Sequence, residues 1–148
     1  MAKIQTVPHL TPAQTKRIAH IWLTANEQAH SFIPAEYWEK NQAVLLAALP
    51  AATVTIATDD AGQILGFAGM QDDFLAGLFI TASARRQGLG TQLMTHLQQQ
   101  HDRITLQVYK ANQPAYHFYA SMGFTIIAEA VDPETNQPAL TMQWVQAA

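Results

Sequence analysis

Residues 74–97 decide the fold, and they read FLAGLFITASARRQGLGTQLMTHL. The first seven, Phe74 to Ile80, are continuously apolar, which is typical of a strand that is buried on both faces. Leu89, Leu93 and Leu97 recur at a spacing of four and indicate the buried face of a helix. Between the two lies a segment that carries two arginines and two glycines. The stretch therefore predicts a strand, a glycine-bearing loop and a helix.

The same patterns extend outward in both directions. Ile104, Leu106 and Val108 alternate with polar residues, so residues 74–108 predict a strand, helix, strand unit with a right-handed crossover. Capping residues, apolar spacing and turn residues predict the other elements: helices over 12–29, 35–49 and 112–122, and strands over 53–56, 64–70, 124–130 and 139–145. This order predicts one α/β domain over residues 1–148 with a mixed sheet.

Composition excludes several classes of function. The chain has 148 residues, and its 8 Lys and Arg against 11 Asp and Glu give a formal charge of −3 with no basic cluster, which disfavours nucleic acid as a partner. Its longest apolar stretch, residues 43–57, contains Pro50 and is too short to span a membrane. The N-terminus lacks the apolar segment of a secretory signal, and there is no cysteine. We expect a soluble, cytoplasmic protein without a membrane partner.

The segment Arg85 to Gly90 has the chemistry of a phosphate site. It precedes a helix N-terminus, where unpaired backbone N–H groups attract an anion. Gly88 and Gly90 have no Cβ to obstruct a ligand, and Arg85 and Arg86 can form charge-assisted hydrogen bonds to phosphate. The alternative is an ordinary turn with solvated arginines.

Two well-known phosphate motifs do not fit this loop. A Walker loop needs a lysine directly after its second glycine, but Leu89 and Thr91 follow the two glycines here. A dinucleotide-binding fingerprint needs a third small residue at the position of Leu93. The motif is therefore of another kind.

A combination of motifs carries a family resemblance. Leu78-Phe79-Ile80 leads into Arg85-x-x-Gly88-x-Gly90, followed by Asn112 and by Ala115-Tyr116-His117-Phe118-Tyr119-x-x-x-Gly123-Phe124. In these segments, which span residues 78–124, the chain resembles the GNAT superfamily of acetyl-CoA-dependent N-acetyltransferases, in particular its small stand-alone bacterial members. The resemblance implies a mixed, mostly antiparallel sheet with a central, splayed parallel strand pair and four helices. It also implies acetyl transfer to a primary amine.

The resemblance implies acetyl-CoA as the cosubstrate and assigns residues to it. Loop amides would hold the pyrophosphate, and strand amides would bind the pantetheine arm and the thioester carbonyl. Asn112 would contact the cofactor arm, although an N-terminal cap is an equally simple reading of an asparagine at this position. The implied cofactor-binding residues are Leu78, Phe79, Ile80, Arg85, Arg86, Gln87, Gly88, Leu89, Gly90, Thr91 and Asn112.

The resemblance implies that Tyr119 is the general acid that protonates the leaving thiolate. A phenol with a pKa near 10 can return a proton to a thiolate whose acid has a pKa near 8.5. Tyr119 lies seven residues after Asn112, which returns it to within about 20° of the same helix face. The alternative is an aromatic residue at the edge of the core.

The general base is less evident. Some family members use a glutamate on the central strand, but Phe74 occupies that place here. His30 is the expected base, because its pKa suits proton transfer and it falls between the first two helices, where the family covers the acceptor site. Asp72 and Asp73 are other candidates, and a surface role is the alternative for all three residues.

The sequence thus predicts an N-acetyltransferase that works by direct attack, since no cysteine can relay the acyl group. The acceptor could be a protein lysine or N-terminus or a small-molecule amine, and the protein a monomer or a homodimer. A non-catalytic acyl-CoA sensor is the rival function. No metal site is expected, because the histidines lack the spacing of ligands. Trp22, Phe32, Tyr37 and Trp38 could line the acceptor pocket, although core packing is the favoured role of the two tryptophans.

Overall fold

A seven-stranded sheet forms the centre of the fold in residues 2–147, which the computed structural model describes. The strands are β1 (Lys3–Val7), β2 (Thr53–Thr58), β3 (Ile64–Gln71), β4 (Phe74–Ile80), β5 (Arg103–Tyr109), β6 (Thr125–Asp132) and β7 (Gln137–Val145). The helices of the described residues are α1 (Pro12–Ala29), α2 (Ala35–Ala48), α3 (Leu89–Gln100) and α4 (Gln113–Ser121), and short 3-10 turns follow α2 and β4.

The sheet is mixed, as predicted. Its strand order is β1-β2-β3-β4-β5-β7-β6, and every neighbouring pair is antiparallel except β4 and β5. That parallel pair is short, because only Phe74 and Leu75 of β4 have partners on β5. The rest of β4 diverges from β5, which confirms the splayed pair at the centre of the sheet.

A β-bulge accompanies the divergence. On β3, Gly69 pairs with Gly77 while the next residue, Met70, pairs with Leu75, so Ala76 is an extra residue on β4. A bulge bends its strand and increases the local twist. The second half of β4 is therefore free to leave β5 while it remains paired with β3.

Helix α1 begins and ends where the sequence predicted. Thr11 Oγ1 accepts a hydrogen bond from the Gln14 amide at 3.1 Å, and Gln14 Oε1 accepts one from the Thr11 amide at 2.9 Å. This capping box satisfies two of the N–H groups that a helix start leaves open. Ile18 and Ile21 lie on the buried face of the helix and pack in one cluster with apolar residues of β2 and β3.

Helix α3 covers the opposite face of the sheet. Leu93, Met94 and Leu97 are fully buried and pack against small and apolar residues of the central strands, among them Ala57 and Ala68. Residues next to each other on a strand point to opposite faces, so Val54 and Ile56 meet α1 whereas Ala57 meets α3. The central strands are therefore covered on both sides by α1 and α3. The expectation that β4 itself is buried on both faces is wrong, because only Leu75 is buried, Phe74 and Ala76 are exposed and the rest of the strand is half-buried where it borders the gap beside β5.

Strand β1 is the element that the sequence analysis missed. It lies at the edge of the sheet and pairs with β2 from Lys3↔Thr58 to Val7↔Val54. Smaller differences concern ends: α2 stops at Ala48, and Asn112 precedes α4 as its N-cap residue. None of the helices within residues 2–147 has the length and apolar character needed to cross a bilayer.

Two glycines of β3 give a test of how closely β4 is held. A Cβ built on Gly66 would lie 2.5 Å from Ile80 Cδ1 and 2.8 Å from the Phe79 carbonyl oxygen, whereas a Cβ on Gly69 meets nothing within 4 Å. We expect Gly66→Ala to lower the free energy of unfolding by about 1–3 kcal/mol, since overpacking forces backbone shifts. Gly69→Ala is the matched control and should leave the free energy of unfolding unchanged. Urea denaturation measures both, and equal stabilities would contradict the close approach.

Candidate active site

A cavity of about 1240 Å³ opens where β4 and β5 diverge. Residues from both strands line it, together with the loop before α3, the starts of α3 and α4, the end of α1 and the β6–β7 connection. Of the predicted site residues, the cavity is lined by Leu78, Phe79, Ile80, Arg85, Arg86, Gly88, Leu89, Gly90, Thr91, Asn112, Tyr119 and His30. Gln87 is exposed and does not line it.

The free edge of β4 supplies backbone donors to this cavity. The Thr81 amide donates to the Leu65 carbonyl at 2.8 Å, so Thr81 faces β3. Successive residues of a strand direct their amides to opposite sides, which places the amide of Phe79 toward β3 and those of Leu78 and Ile80 toward the gap. The Phe79 ring packs on Phe67, with ring centroids 5.4 Å apart.

The loop before α3 is shaped for an anion. Arg86 and Gly88 both have positive φ angles, of 65° and 78°, and no side chain caps the helix N-terminus. A Cβ on Gly88, the N-cap residue of α3, would meet nothing within 4 Å, so the space beside this residue is open. Arg85 Nη2 donates to Gln28 Oε1 at 2.9 Å, which ties the loop to α1. This space and these donors fit a diphosphate.

Asn112 is both an N-terminal cap and a cavity residue. Its Oδ1 accepts a hydrogen bond from the Ala115 amide at 3.4 Å. Its Nδ2 lies 3.1 Å from His30 Nε2. One side chain can therefore cap α4 and also be available to a cofactor in the cavity, which are the two roles that the sequence left open for Asn112.

His30 lies at the end of α1 and is buried, so the surface role that the sequence left open for it is wrong. It is the C-cap residue of α1, it is 7% exposed, and its Nδ1 lies 3.0 Å from the Asn26 carbonyl oxygen. Burial lowers its pKa from the ordinary 6.5, although the hydrogen bond to Asn26 works in the opposite direction. Both ring nitrogens are engaged, so His30 stays a predicted base that would first have to release a partner.

Tyr119 lies on α4 with its ring near two other aromatic rings. The centroid distances are 5.4 Å to Phe118 and 5.9 Å to Phe124. Burial raises the pKa of Tyr119 to about 12. Its hydroxyl has no hydrogen-bond partner among the described residues, and at neutral pH it carries its proton. The group is thus available as a donor to a molecule in the cavity.

Two tyrosine–carboxylate pairs mark the end of the site near the β6–β7 connection. Tyr37 donates to Glu134 Oε2, and Tyr109 donates to Asp132 Oδ2, each at 2.8 Å. Asp132, Glu134 and Tyr109 line the cavity. The sequence analysis named Tyr37 as a pocket candidate but missed its acidic partners, because residues 132–138 are rich in turn residues and have no pattern of a site. The nearest signal was a pair of acids within that turn.

The pKa values of this cluster follow from its contacts. Burial and then the hydrogen bond to Glu134 raise the pKa of Tyr37, and burial with the hydrogen bond to Asp132 raises that of Tyr109 to about 12. Burial acts against ionisation of Asp132, but hydrogen bonds from the Glu134 amide, Tyr109 and Thr135 outweigh it and lower the pKa of Asp132. Asp132 is therefore a carboxylate and the tyrosines are neutral at pH 7.

Of the remaining candidates, the two tryptophans line the cavity, whereas Asp72, Asp73, Phe32 and Tyr37 do not. Asp73 Oδ1 is 3.2 Å from His101 Nδ1, and neither Asp72 nor Asp73 lines the cavity. Trp22 and Trp38 do line it and pack edge to face with centroids 5.8 Å apart. Within residues 2–147, no group of three or more His, Asp and Glu side chains is arranged to hold a metal ion.

Known proteins are similar to this chain in sequence and in fold. A family profile described as the acetyltransferase (GNAT) domain matches residues 50–126. YiaC, a peptidyl-lysine N-acetyltransferase of Escherichia coli (strain K12), is 37% identical over 128 residues, which cover 86% of this chain and 88% of YiaC. YjaB, a peptidyl-lysine N-acetyltransferase of the same organism and strain, is 27% identical over 134 residues that cover 89% of this chain and 91% of YjaB.

Solved structures of acetyltransferases have the same fold as this chain. The solution structure of apo YjaB from Escherichia coli has a TM-score of 0.84 at 26% identity and covers 99% of both chains. An aminoglycoside 6′-N-acetyltransferase complexed with coenzyme A shares the fold, with a TM-score of 0.78 at 14% identity over 99% of this chain and 98% of that one. The predicted fold class, family and type of enzyme are confirmed. This chain belongs to the GNAT family and is an N-acetyltransferase.

Proposed function

We propose that this protein transfers the acetyl group of acetyl-CoA to the ε-amine of lysine in a peptide or protein. The observation that carries the proposal is one continuous cavity, with an anion-binding loop and free strand amides on one side and a tyrosine–carboxylate cluster on another. The two Escherichia coli relatives, both named for peptidyl-lysine, support this acceptor class. We propose that residues 1–148 act as one domain, in the cytoplasm.

The loop before α3 and the free edge of β4 form the proposed binding site of the cofactor. The amides of Arg86 to Thr91, including that of Gln87, would bind the pyrophosphate, and Arg85 and Arg86 would add charge-assisted hydrogen bonds. The amides of Leu78 and Ile80 face the gap and are the proposed donors to the pantetheine arm and the thioester carbonyl. Phe79 fixes their spacing by pairing with Phe67 across β3 and β4.

The proposed chemistry is direct attack of the amine on the thioester. A backbone amide of β4 directed at the thioester oxygen would stabilise the negative charge that develops there, a contribution of about 3 kcal/mol in other enzymes. Tyr119 would donate its proton to the leaving sulfur. Its position in the cavity and its unpaired hydroxyl support this role.

The tyrosine–carboxylate cluster is the proposed recognition site for the acceptor. A lysine amine has a pKa of about 10.4 and arrives as a cation, which carboxylates attract. Asp132 and Glu134 line the cavity, and the two tyrosines hold their side chains in place. The sequence predicts His30 as the base, but both of its ring nitrogens are engaged in hydrogen bonds. We therefore propose that water in the cavity accepts the amine proton, and we assign His30 a different role below.

The test is a thiol-release assay with acetyl-CoA and a panel of lysine peptides. We expect free thiol to appear with these peptides, and mass spectrometry to find one acetyl group on the lysine side chain. Peptides whose lysine is already acetylated control for hydrolysis and for reaction at the N-terminus. Binding of acetyl-CoA without thiol release above the hydrolytic background, across lysine peptides and small amines, would indicate the sensor function instead.

The acidic side of the cavity can be tested in the same assay. Because Asp132 and Glu134 would attract the cation, we expect Asp132→Asn together with Glu134→Gln to raise the KM for the peptide about tenfold, with an unchanged Kd for acetyl-CoA. Glu129→Gln controls for the loss of a negative charge elsewhere on the surface, since Glu129 is an exposed partner of Lys110 outside the cavity. Equal KM values for all three proteins would remove the cluster from acceptor binding.

A further inference from the structure

We infer that His30 is a positioning residue whose neutral imidazole holds the Asn112 side chain in the orientation that serves the cofactor. The inference rests on the proposed function only in that coenzyme A occupies the cavity. It gives His30 a role through Asn112, in place of direct proton transfer from the substrate.

The hydrogen bonds fix the protonation of the ring. A backbone carbonyl can only accept, so the nitrogen beside the Asn26 carbonyl, Nδ1, carries the hydrogen. In a neutral imidazole the other nitrogen is then an acceptor. His30 Nε2 therefore accepts from the Asn112 Nδ2 group at 3.1 Å.

This contact determines how the Asn112 amide points. With Nδ2 turned toward His30, Oδ1 is left to accept from the Ala115 amide at the start of α4. The Nδ2 group has two hydrogens, and His30 uses one of them. The second hydrogen is available to a carbonyl of a ligand, because Asn112 lines the cavity.

The ring itself is held from several sides. It stacks on Trp38 with centroids 5.1 Å apart and an interplanar angle of 28°, and it meets Phe32 and Tyr109 edge to face at 5.6 and 5.1 Å. His30 and Asn112 are 82 residues apart in the sequence, so the hydrogen bond joins the end of α1 to the start of α4 across the cavity. A ring packed in this way is suited to orient a partner and poorly suited to swing out to an amine.

Protonation would reverse the contact. A charged imidazole has hydrogens on both nitrogens, so Nε2 and the Asn112 Nδ2 group would both be donors and could not form a hydrogen bond with each other. Asn112 could accept from it only by turning its amide, which would give up the bond to the Ala115 amide. Among the described residues that touch the ring, Tyr109 on β5 is the titratable one, and its pKa of about 12 keeps it neutral. Asp132 lies one hydrogen bond further away, on the Tyr109 hydroxyl.

The direction of the pH effect follows. Burial lowers the pKa of His30 below 6.5, so at neutral pH the imidazole is uncharged and its Nε2 can accept the hydrogen bond from Asn112. As the pH falls through that pKa, the affinity for coenzyme A should fall as well. The phosphate groups of coenzyme A also bind protons near pH 6, so the informative quantity is the difference between the wild type and a variant that cannot titrate.

The experiment measures the Kd of coenzyme A by calorimetry, at a series of pH values from 7.5 downward, for wild type, His30→Gln, His30→Phe, Asn112→Ala and the His30→Phe/Asn112→Ala double variant. We expect coenzyme A to bind about tenfold more weakly to His30→Phe and to Asn112→Ala. The double variant should show no further loss, because each single change already removes the same hydrogen bond between His30 and Asn112. His30→Gln should bind within about twofold of wild type at pH 7.5, since its Oε1 can accept from Asn112. It should not share the loss of affinity that wild type shows as the pH falls through the pKa of His30.

Several results would overturn the inference. Losses that multiply in the double variant would mean that the two residues act independently. A His30→Phe variant with unchanged Kd but a large fall in kcat would support the general base instead. If His30→Phe does not fold, His30→Gln decides through its pH profile, and a nitrogen NMR spectrum that finds the hydrogen on Nε2 of wild type would refute the orientation directly. Absence of lysine acetylation with these affinities intact would contradict the proposed function alone.

Discussion

Replacing Gly88 with glutamate is expected to weaken coenzyme A binding at least about 100-fold while the protein stays folded. The added side chain would occupy the open space beside the N-cap residue of α3, where a Cβ meets nothing within 4 Å. Two like charges about 5 Å apart repel by roughly 3 kcal/mol at an effective dielectric constant near 20. That energy corresponds to about 100-fold in affinity. The steric exclusion of the pyrophosphate adds to it.

A strain effect must be separated from this loss. Gly88 has a φ of 78°, so any side chain there costs about 1–2 kcal/mol of stability. Gly62 is the matched control: it has a φ of 84°, a Cβ there would also be in open space, and it lies in the turn between β2 and β3 outside the cavity. Gly62→Glu should lose similar stability and keep normal affinity. A folded Gly88→Glu protein with normal affinity would refute the placement of the pyrophosphate.

The elements predicted most accurately from sequence are those whose signals are local. The start of α1 is encoded within four residues, Thr11 to Gln14, and its hydrogen bonds close in the same four residues. The loop before α3 is also local, since the arginines and glycines that shape it are adjacent in the chain. A pattern of this kind can be read without knowing what packs around it.

The features that escaped prediction depend on contacts between distant parts of the chain. Strand β1 has five residues at the sheet edge, with no buried side chain to mark it. Glu134 becomes part of a site only because Tyr37, 97 residues earlier, reaches it. His30 reads as a loop residue, yet rings from residues 32, 38 and 109 enclose it. Burial and partners of this kind are products of the tertiary fold.

The divergence of β4 from β5 was predictable only in part from the sequence. Its apolar run predicted a central buried strand, but continuous hydrophobicity does not encode where a neighbour departs. Divergence begins at the bulge near Ala76, and alternation then decides which amides face the gap. The family resemblance implied this splay, and the register of β3 on β4 supplies its physical cause.

Replacing Tyr119 with phenylalanine is expected to lower kcat about 100-fold and to leave the Kd of acetyl-CoA unchanged. General acid catalysis contributes about 10²- to 10⁴-fold in other enzymes. The ring contacts with Phe118 and Phe124 remain in the variant, and the hydroxyl has no hydrogen-bond partner among the described residues, so the melting temperature should change little. The substitution thus removes a proton donor and almost nothing else.

Tyr116→Phe is the matched control for this change. Tyr116 lies on the same helix and packs partly buried against the same core, but it does not line the cavity, so its hydroxyl should not matter to turnover. Because the pKa of Tyr119 is about 12, its hydroxyl keeps its proton throughout an assay from pH 7 to 9. The deficit of Tyr119→Phe should therefore be the same factor at each of these pH values. A deficit that disappears at high pH would mean that the thiolate leaves without help there, and unaltered turnover at all pH values would remove Tyr119 from the mechanism.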